Sequence, residues 1–214
     1  MPNKAGPVLL AAGAVLLTVA LSLFFYNSWE DAQAGRTAGQ LLAGVRSAAG
    51  QQEQAAESEA AAQSLPGELP VVEWQNYDCV GTLSIPALEL ELPVLAQWDY
   101  TRLKTAPCRQ FGSSRTDDLV IAAHNYQSHF GRLNQLAAGD TVRFTDMDGV
   151  VNTYTVARVE VLAPDAVDAV QNSGCALVLY TCTKGGASRV AVFCQRAETA
   201  PSPAGCPPPM RNRG

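Results

Sequence analysis

The residues best suited to chemistry in this sequence are a cysteine, an arginine and a histidine that stand far apart along the chain. Cys182 ends the apolar run Cys175-Ala-Leu-Val-Leu-Tyr-Thr-Cys182, and Arg189 opens another, Arg189-Val-Ala-Val-Phe-Cys194. Between them Thr183-Lys-Gly-Gly-Ala-Ser188 reads as a loop, since adjacent glycines suit a reversal of direction. A hairpin closed by that loop pairs Cys182 with Arg189, Tyr180 with Ala191 and Val178 with Phe193. Directly opposed Cβ atoms lie about 5 Å apart, so the thiol and the guanidinium share one face. Leu177, Leu179 and Thr181 against Val190, Val192 and Cys194 form the other face, apolar enough for a barrel interior. A slip of one residue would reverse both faces, so the register is itself an expectation.

A thiol beside a fixed cation is chemically useful. Cysteine is the most readily activated nucleophile among side chains, and nearby positive charge favours its thiolate. Arginine stays charged, presents several donors and can stabilise an oxyanion at an attacked carbonyl. The sequence has only two histidines, so the search for a base is short. His124 follows Leu119-Val-Ile-Ala-Ala123, a strand-like run that delivers an imidazole to the rim of the core. His129, in the loop beyond, is expected to be solvent-exposed. Taken singly, each residue has a plainer reading: a core cysteine, a solvated strand-end arginine, a turn histidine. Their joint occurrence at the ends of apolar runs favours a site.

The elements that must position these residues are mostly strands. From about Val71, short runs of Val, Ile, Leu, Thr and Tyr are separated by Gly, Pro, Asp and Asn. Strands are expected near 81–85, 90–95, 119–123, 141–145, 151–162, 176–182 and 189–195, with a hairpin turn over 146–149. Short helices are expected near 100–105, 131–137 and 165–170. Many short strands and few helices indicate a mainly β domain, a single closed barrel of about eight strands over residues 71–198.

The sequence has 214 residues, 47% hydrophobic and 16% charged, with a net charge of -5. No basic run is present to grip phosphates, so nucleic acid is not an expected partner. Residues 7–26 form an uncharged apolar run, and about twenty such residues suffice to cross a bilayer as a helix. Lys4 precedes it while Glu30 and Asp31 follow, which predicts a cytoplasmic tail over 1–6 and an extracytoplasmic remainder. Ala32-Gln33-Ala34 matches a signal-peptide cleavage pattern, but the run exceeds a usual signal core, and an uncleaved single-pass anchor is expected. Residues 27–70 are rich in Ala, Gln, Glu, Gly and Ser and read as a stalk with frayed helix over 53–63. Residues 199–214, rich in Pro, read as a disordered tail. Six cysteines lack any CxxC spacing, which argues against a zinc ribbon or thioredoxin-like motif. Apart from Cys182 they are expected to be buried thiols, with Cys206 in the tail; disulfides are possible outside the cell, their connectivity unread.

Leu179-Tyr-Thr-Cys182 followed by Arg189 resembles the signature of the sortases, the cysteine transpeptidases of Gram-positive bacteria. His124 is placed as in that family, and Gly81-Thr-Leu-Ser-Ile-Pro86, Leu92-Pro-Val94 and Phe130-Gly-Arg-Leu133 resemble its other segments. Val178 stands where the signature prefers Thr, and the subclass is left open. The resemblance implies that Cys182 attacks a Thr carbonyl in the C-terminal sorting motif of a secreted protein, forming a thioacyl enzyme. It implies His124 as acid and base, and Arg189 as substrate and oxyanion holder. Thr181 and Asn125 would support the oxyanion site and the imidazole. The acceptor would be an amine of a peptidoglycan precursor or a pilin lysine, and no metal or organic cofactor is required. Two other readings are a papain-like cysteine protease, which normally carries its Cys at a helix start ahead of the His, and a non-enzymatic wall-associated scaffold.

Overall fold

The β-branched and aromatic runs after residue 71 form strands because their alternate residues can face a common core while the others face out. The computed structural model describes residues 5–56 and 67–197. The expected tail over 199–214 with Cys206, residues 1–4 and residues 57–66 lie outside the described residues.

Nine strands follow a long helix, α1 (Ala5–Ala56): β1 (Val72–Trp74), β2 (Tyr77–Ile85), β3 (Leu90–Leu95), β4 (Cys108–Phe111), β5 (Leu119–Ala122), β6 (Thr141–Asp146), β7 (Val151–Leu162), β8 (Leu177–Cys182) and β9 (Arg189–Arg196). Two short helices, α2 (Arg102–Thr105) and α3 (Val167–Gln171), lie in connections. The order β2-β3-β4-β5-β8-β9-β7-β6 returns to β2 through the β2–β6 pairing, so eight strands close a barrel and β1 adds a hairpin to its rim. Closure is tight at Gly81, where a Cβ would lie 2.4 Å from the Thr145 carbonyl oxygen and 2.5 Å from the Phe144 ring. Only glycine lets β2 pass there between β3 and β6.

The interior is filled by Leu83, Ile121, Phe144, Tyr154, Leu177, Leu179 and Val192, among others. β4 and β1 were not anticipated. β4 has four residues and a register shift between Arg109 and Phe111, so it carries no clean alternation. The expected helix over 131–137 is a single 3-10 turn, Leu133–Gln135. The 146–149 turn is as expected: Asp146 Oδ1 accepts from the N–H groups of Asp148 (3.1 Å) and Val150 (2.9 Å).

Helix α1 contributes to two compact units, Met1–Gln33 and Ala34–Gly214. Within the first, the apolar side chains from Val8 to Trp29 are exposed on every side. Thr18 and Ser22 donate their hydroxyl hydrogens to the carbonyls of Ala14 and Thr18, both 2.8 Å, so polar groups are satisfied within the helix. It is the one helix among the described residues long and apolar enough to cross a membrane.

Within the second unit, the sequence expectation of a bare stalk does not describe residues 34–45. Ala34, Ala38, Leu41, Leu42 and Val45 are buried, an i, i+4, i+7 stripe that packs with the barrel residues. Small residues hide such a stripe in the sequence, because Ala and Gly read as spacer composition. They are what allows close approach here: a Cβ on Gly44 would lie 2.1 Å from the Trp74 indole.

Candidate active site

The antiparallel pairing of β8 and β9 has the register expected from the sequence: Cys182 opposite Arg189, Tyr180 opposite Ala191, Val178 opposite Phe193. Leu177, Leu179, Val192 and Cys194 point into the barrel core, which leaves Cys182 and Arg189 on the outer face. On the other side of β8 runs β5, parallel to it, with Ala122 level with Tyr180. The pairing continues beyond the strand, since the Ala123 N–H donates to the Tyr180 carbonyl at 3.2 Å. Two residues past Ala122 and two past Tyr180 stand His124 and Cys182. The sheet therefore sets the thiol on a central strand end, with the histidine on one neighbour and the arginine on the other.

Two side chains hold this alignment. Thr181 is buried, and its Oγ1 donates to the Ala123 carbonyl at 2.8 Å, tying the residue before the cysteine to the residue before the histidine. The Asn125 amide donates to the Thr183 carbonyl at 3.3 Å, tying the residues that follow them. Both bonds go to backbone, so these residues clamp the two strand ends together.

His124 is half-buried, and its ring stacks on Tyr126 with centroids 3.9 Å apart. His129 departs from expectation: it is fully buried and packs edge-on to Tyr126, with centroids 5.5 Å apart. The loop curls inward because His129 and Gly131 donate backbone N–H groups to the Tyr126 carbonyl and Phe130 to that of His124. Phe130 plugs the core and draws its neighbour with it.

Beside Cys182 opens a cavity of about 200 Å³. Its floor is Ala122, Ala123, Tyr180 and Thr181, with Gln110 at the edge. One wall is Trp98, Tyr100 and Leu103, from the β3–β4 connection; the other runs from Leu162 to Val170, from the β7–β8 connection. Cys182 and Arg189 stand at its mouth, while His124 is not part of its lining. The walls were not foreseen. They lie in loops without periodicity, which offer no pattern to read.

The electrostatics separate the cysteines. Cys79, Cys108, Cys182 and Cys194 are free, and Cys182 alone of these is exposed. Burial pushes the Cys79, Cys108 and Cys194 thiols up to about 12, which keeps them protonated and sealed. Cys175, expected as a thiol with a disulfide possible, is disulfide-bonded. Arg189 Nη1 donates to the carbonyls of Gly186 (3.0 Å) and Ser188 (3.1 Å), which fixes the guanidinium against its own loop. Burial raises Tyr180 to about 12 although the Arg189 charge opposes it, so the phenol stays neutral; it donates to Gln110 Oε1.

The family model described as Sortase domain matches residues 83–197, more than half of the chain. The chain belongs to the sortase family, whose members are transpeptidases. Among solved structures it is similar to Streptococcus agalactiae sortase C1 in complex with MTSET, at 21% identity over 57% of this chain and 69% of that one, with a TM-score of 0.48. It is also similar to Streptococcus suis sortase C1, at 22% identity over 57% and 74% with a TM-score of 0.49. A third is sortase C-1 from Actinomyces oris, at 20% identity over 72% and 98% with a TM-score of 0.49. No curated protein matches the chain by sequence.

Proposed function

We propose that Cys182 is the nucleophile of a sortase reaction that cleaves a C-terminal sorting motif of secreted proteins and transfers the acyl part to an amine. The observation that carries this reading is the alignment of three strand ends, which sets an exposed thiol between His124 and Arg189 at the mouth of an apolar cavity. The sulfur attacks the backbone carbonyl of a Thr residue in the motif, and the peptide C–N bond breaks as the S–C bond of the thioester forms. His124 donates the proton that the departing amine needs, then takes one from the incoming amine as the S–C bond breaks. Arg189 has two bonds to loop carbonyls and further N–H donors, which hold the substrate and the developing oxyanion. Thr181 and Asn125 act on the site through the backbone bonds that align its strand ends.

The acceptor is an amine of a peptidoglycan precursor or a pilin lysine. The apolar run over 7–26 anchors the chain as a single span, with the tail over 1–6 cytoplasmic and the barrel over 71–198 extracytoplasmic at the cell wall. The reaction as written draws on side chains alone.

The test incubates the full chain in detergent micelles with sorting-motif peptides, with and without added amine, and follows Cys182 by mass spectrometry. A thioacyl adduct on Cys182 that is discharged faster by amine than by water is the expected result. No adduct from any motif on the folded protein would overturn the reading, and discharge indifferent to amine would make the enzyme a protease.

A further inference from the structure

The wall of the cavity that carries Trp98 and Leu103 has little backbone support of its own. Between Ala96 and Ala106 the backbone bonds are internal to the segment: Leu103 N–H to the Asp99 carbonyl (3.0 Å), Lys104 to Thr101 (3.2 Å) and Ala106 to Arg102 (3.0 Å). Asp99 caps the short α2 by accepting the N–H groups of Thr101 and Arg102, each at 2.8 Å. The backbone of its ends is fixed to the barrel, through Ala96 N–H to the Asp78 carbonyl (2.7 Å) and Leu95 N–H to that of Pro107 (2.8 Å). Side-chain packing of Trp98 and Leu103 helps set the position of the middle.

That packing is supplied in part by α1. Leu41 (3% exposed) and Val45 (0%) join Cys79, Leu95, Ala106 and Cys108 in a buried cluster, against which Trp98 and Leu103 lean. The same two side chains, Trp98 and Leu103, line the cavity at Cys182. Their inner sides rest on the cluster and their outer sides face the space a substrate would fill. The helix is seated there by Gly44 under the Trp74 indole and by an ion pair of Arg46 with Glu91. Close-packed interiors transmit small displacements, so removing methyl groups from the helix side lets the wall settle away from the cavity.

We propose that Leu41 and Val45 are positioning residues for substrate binding: the helical stretch that precedes the barrel is the back support of one cavity wall. The idea rests on the proposed transpeptidase reading for its kinetic consequence, although not for its structural one. Leu41→Ala with Val45→Ala raises KM for a sorting-motif peptide about five- to tenfold and leaves kcat within about twofold, because the chemical groups stay in place. The near-isosteric replacement Leu41→Met, with Val45 kept, leaves KM at the wild-type value.

A readout that needs no turnover separates failure of this idea from failure of the proposed reaction. In the full chain in detergent micelles, Cys182 is modified with phenylmaleimide, whose ring seats in an apolar cavity, or with iodoacetamide, which is small and needs none. Mass spectrometry of the Cys182 peptide gives both rates, and circular dichroism confirms the fold. The ratio of phenylmaleimide to iodoacetamide rates falls about threefold or more in the alanine pair and stays at the wild-type value in Leu41→Met. Should the pair fail to fold, Leu41→Ala alone is read in the same way against Leu41→Met. An unchanged ratio in a folded alanine variant overturns the proposal. So does a parallel rise of both rates, which marks general loosening. If the wild-type chain turns over no peptide while the ratio behaves as stated, the reaction assignment fails and the wall assignment stands.

Discussion

Strand β9 carries an arginine at each end, and the two are used differently. Arg196, at the end away from the cavity, is saturated by the barrel itself. Its Nε donates to Asp117 at 2.7 Å, Nη1 to Asn152 Oδ1 at 2.7 Å, and Nη2 to the Ser114 carbonyl. Nearby, Arg115 pairs with the buried Asp146 at 3.2 Å and with Asp148. Arg189, at the other end, bonds among the described residues to two carbonyls of its own loop and borders a cavity of about 200 Å³ beside an exposed thiol. A polar cluster whose members consume one another's hydrogen-bonding capacity locks a fold. One that leaves donors over at a concave surface is equipped to receive something else.

The comparison breaks most decisively at Cys182. Cys182→Ala should abolish transfer by about 10³-fold or more, with no change in Tm because the thiol is exposed. Retained activity in a peptide-ligation assay would remove the site. Next comes the contrast between the arginines. Arg189→Ala should lower kcat/KM about 10²- to 10³-fold with little effect on thermal unfolding. Arg196→Ala should do the reverse: a loss of about 1–3 kcal/mol in denaturant melts, with kcat unchanged. If Arg196→Ala costs activity and Arg189→Ala costs stability, the two ends have been assigned the wrong way round.

The smallest effect is a dependence on pH. Unfolded thiols ionise near about 8.5, while burial holds Cys79, Cys108 and Cys194 protonated in the fold up to about 12. Below about 8.5 both states keep these protons and the contribution to stability is intact. Above it the unfolded chain releases protons that the folded chain retains, so Tm should decline progressively from about pH 9 towards 12. The decline should be shallower in Cys108→Ala, and an equal slope would show that the thiol does not contribute.

Much of the site was legible in the sequence, and for a physical reason. Two apolar runs joined by a loop of six with adjacent glycines form a hairpin whose simplest register sets Leu177 and Leu179 on one face with Val190 and Val192. That register places Arg189 opposite Cys182 without any knowledge of the fold. What could not be read depends on contacts between distant segments. The burial of His129 follows from turns anchored on Tyr126, and the cavity walls come from two connections without periodicity. The stripe on α1 was invisible because Ala34, Ala38 and Gly44 are useful for being small, which composition scores as spacer. β4 escaped because a strand of four residues with an irregular register offers no pattern to detect.

The isolation of Cys182 among the cysteines also sets how the protein fares under oxidants. An accessible sulfur converted to its sulfenic acid is ordinarily rescued by a nearby thiol that closes a disulfide. Among the described residues no second cysteine lines the cavity, and the other three free thiols are buried, Cys194 in the barrel core and Cys79 and Cys108 in the cluster under α1. Among the described residues, then, Cys182 has no neighbouring thiol to resolve an oxidised sulfur, and its recovery falls to whatever small reductant the surroundings provide.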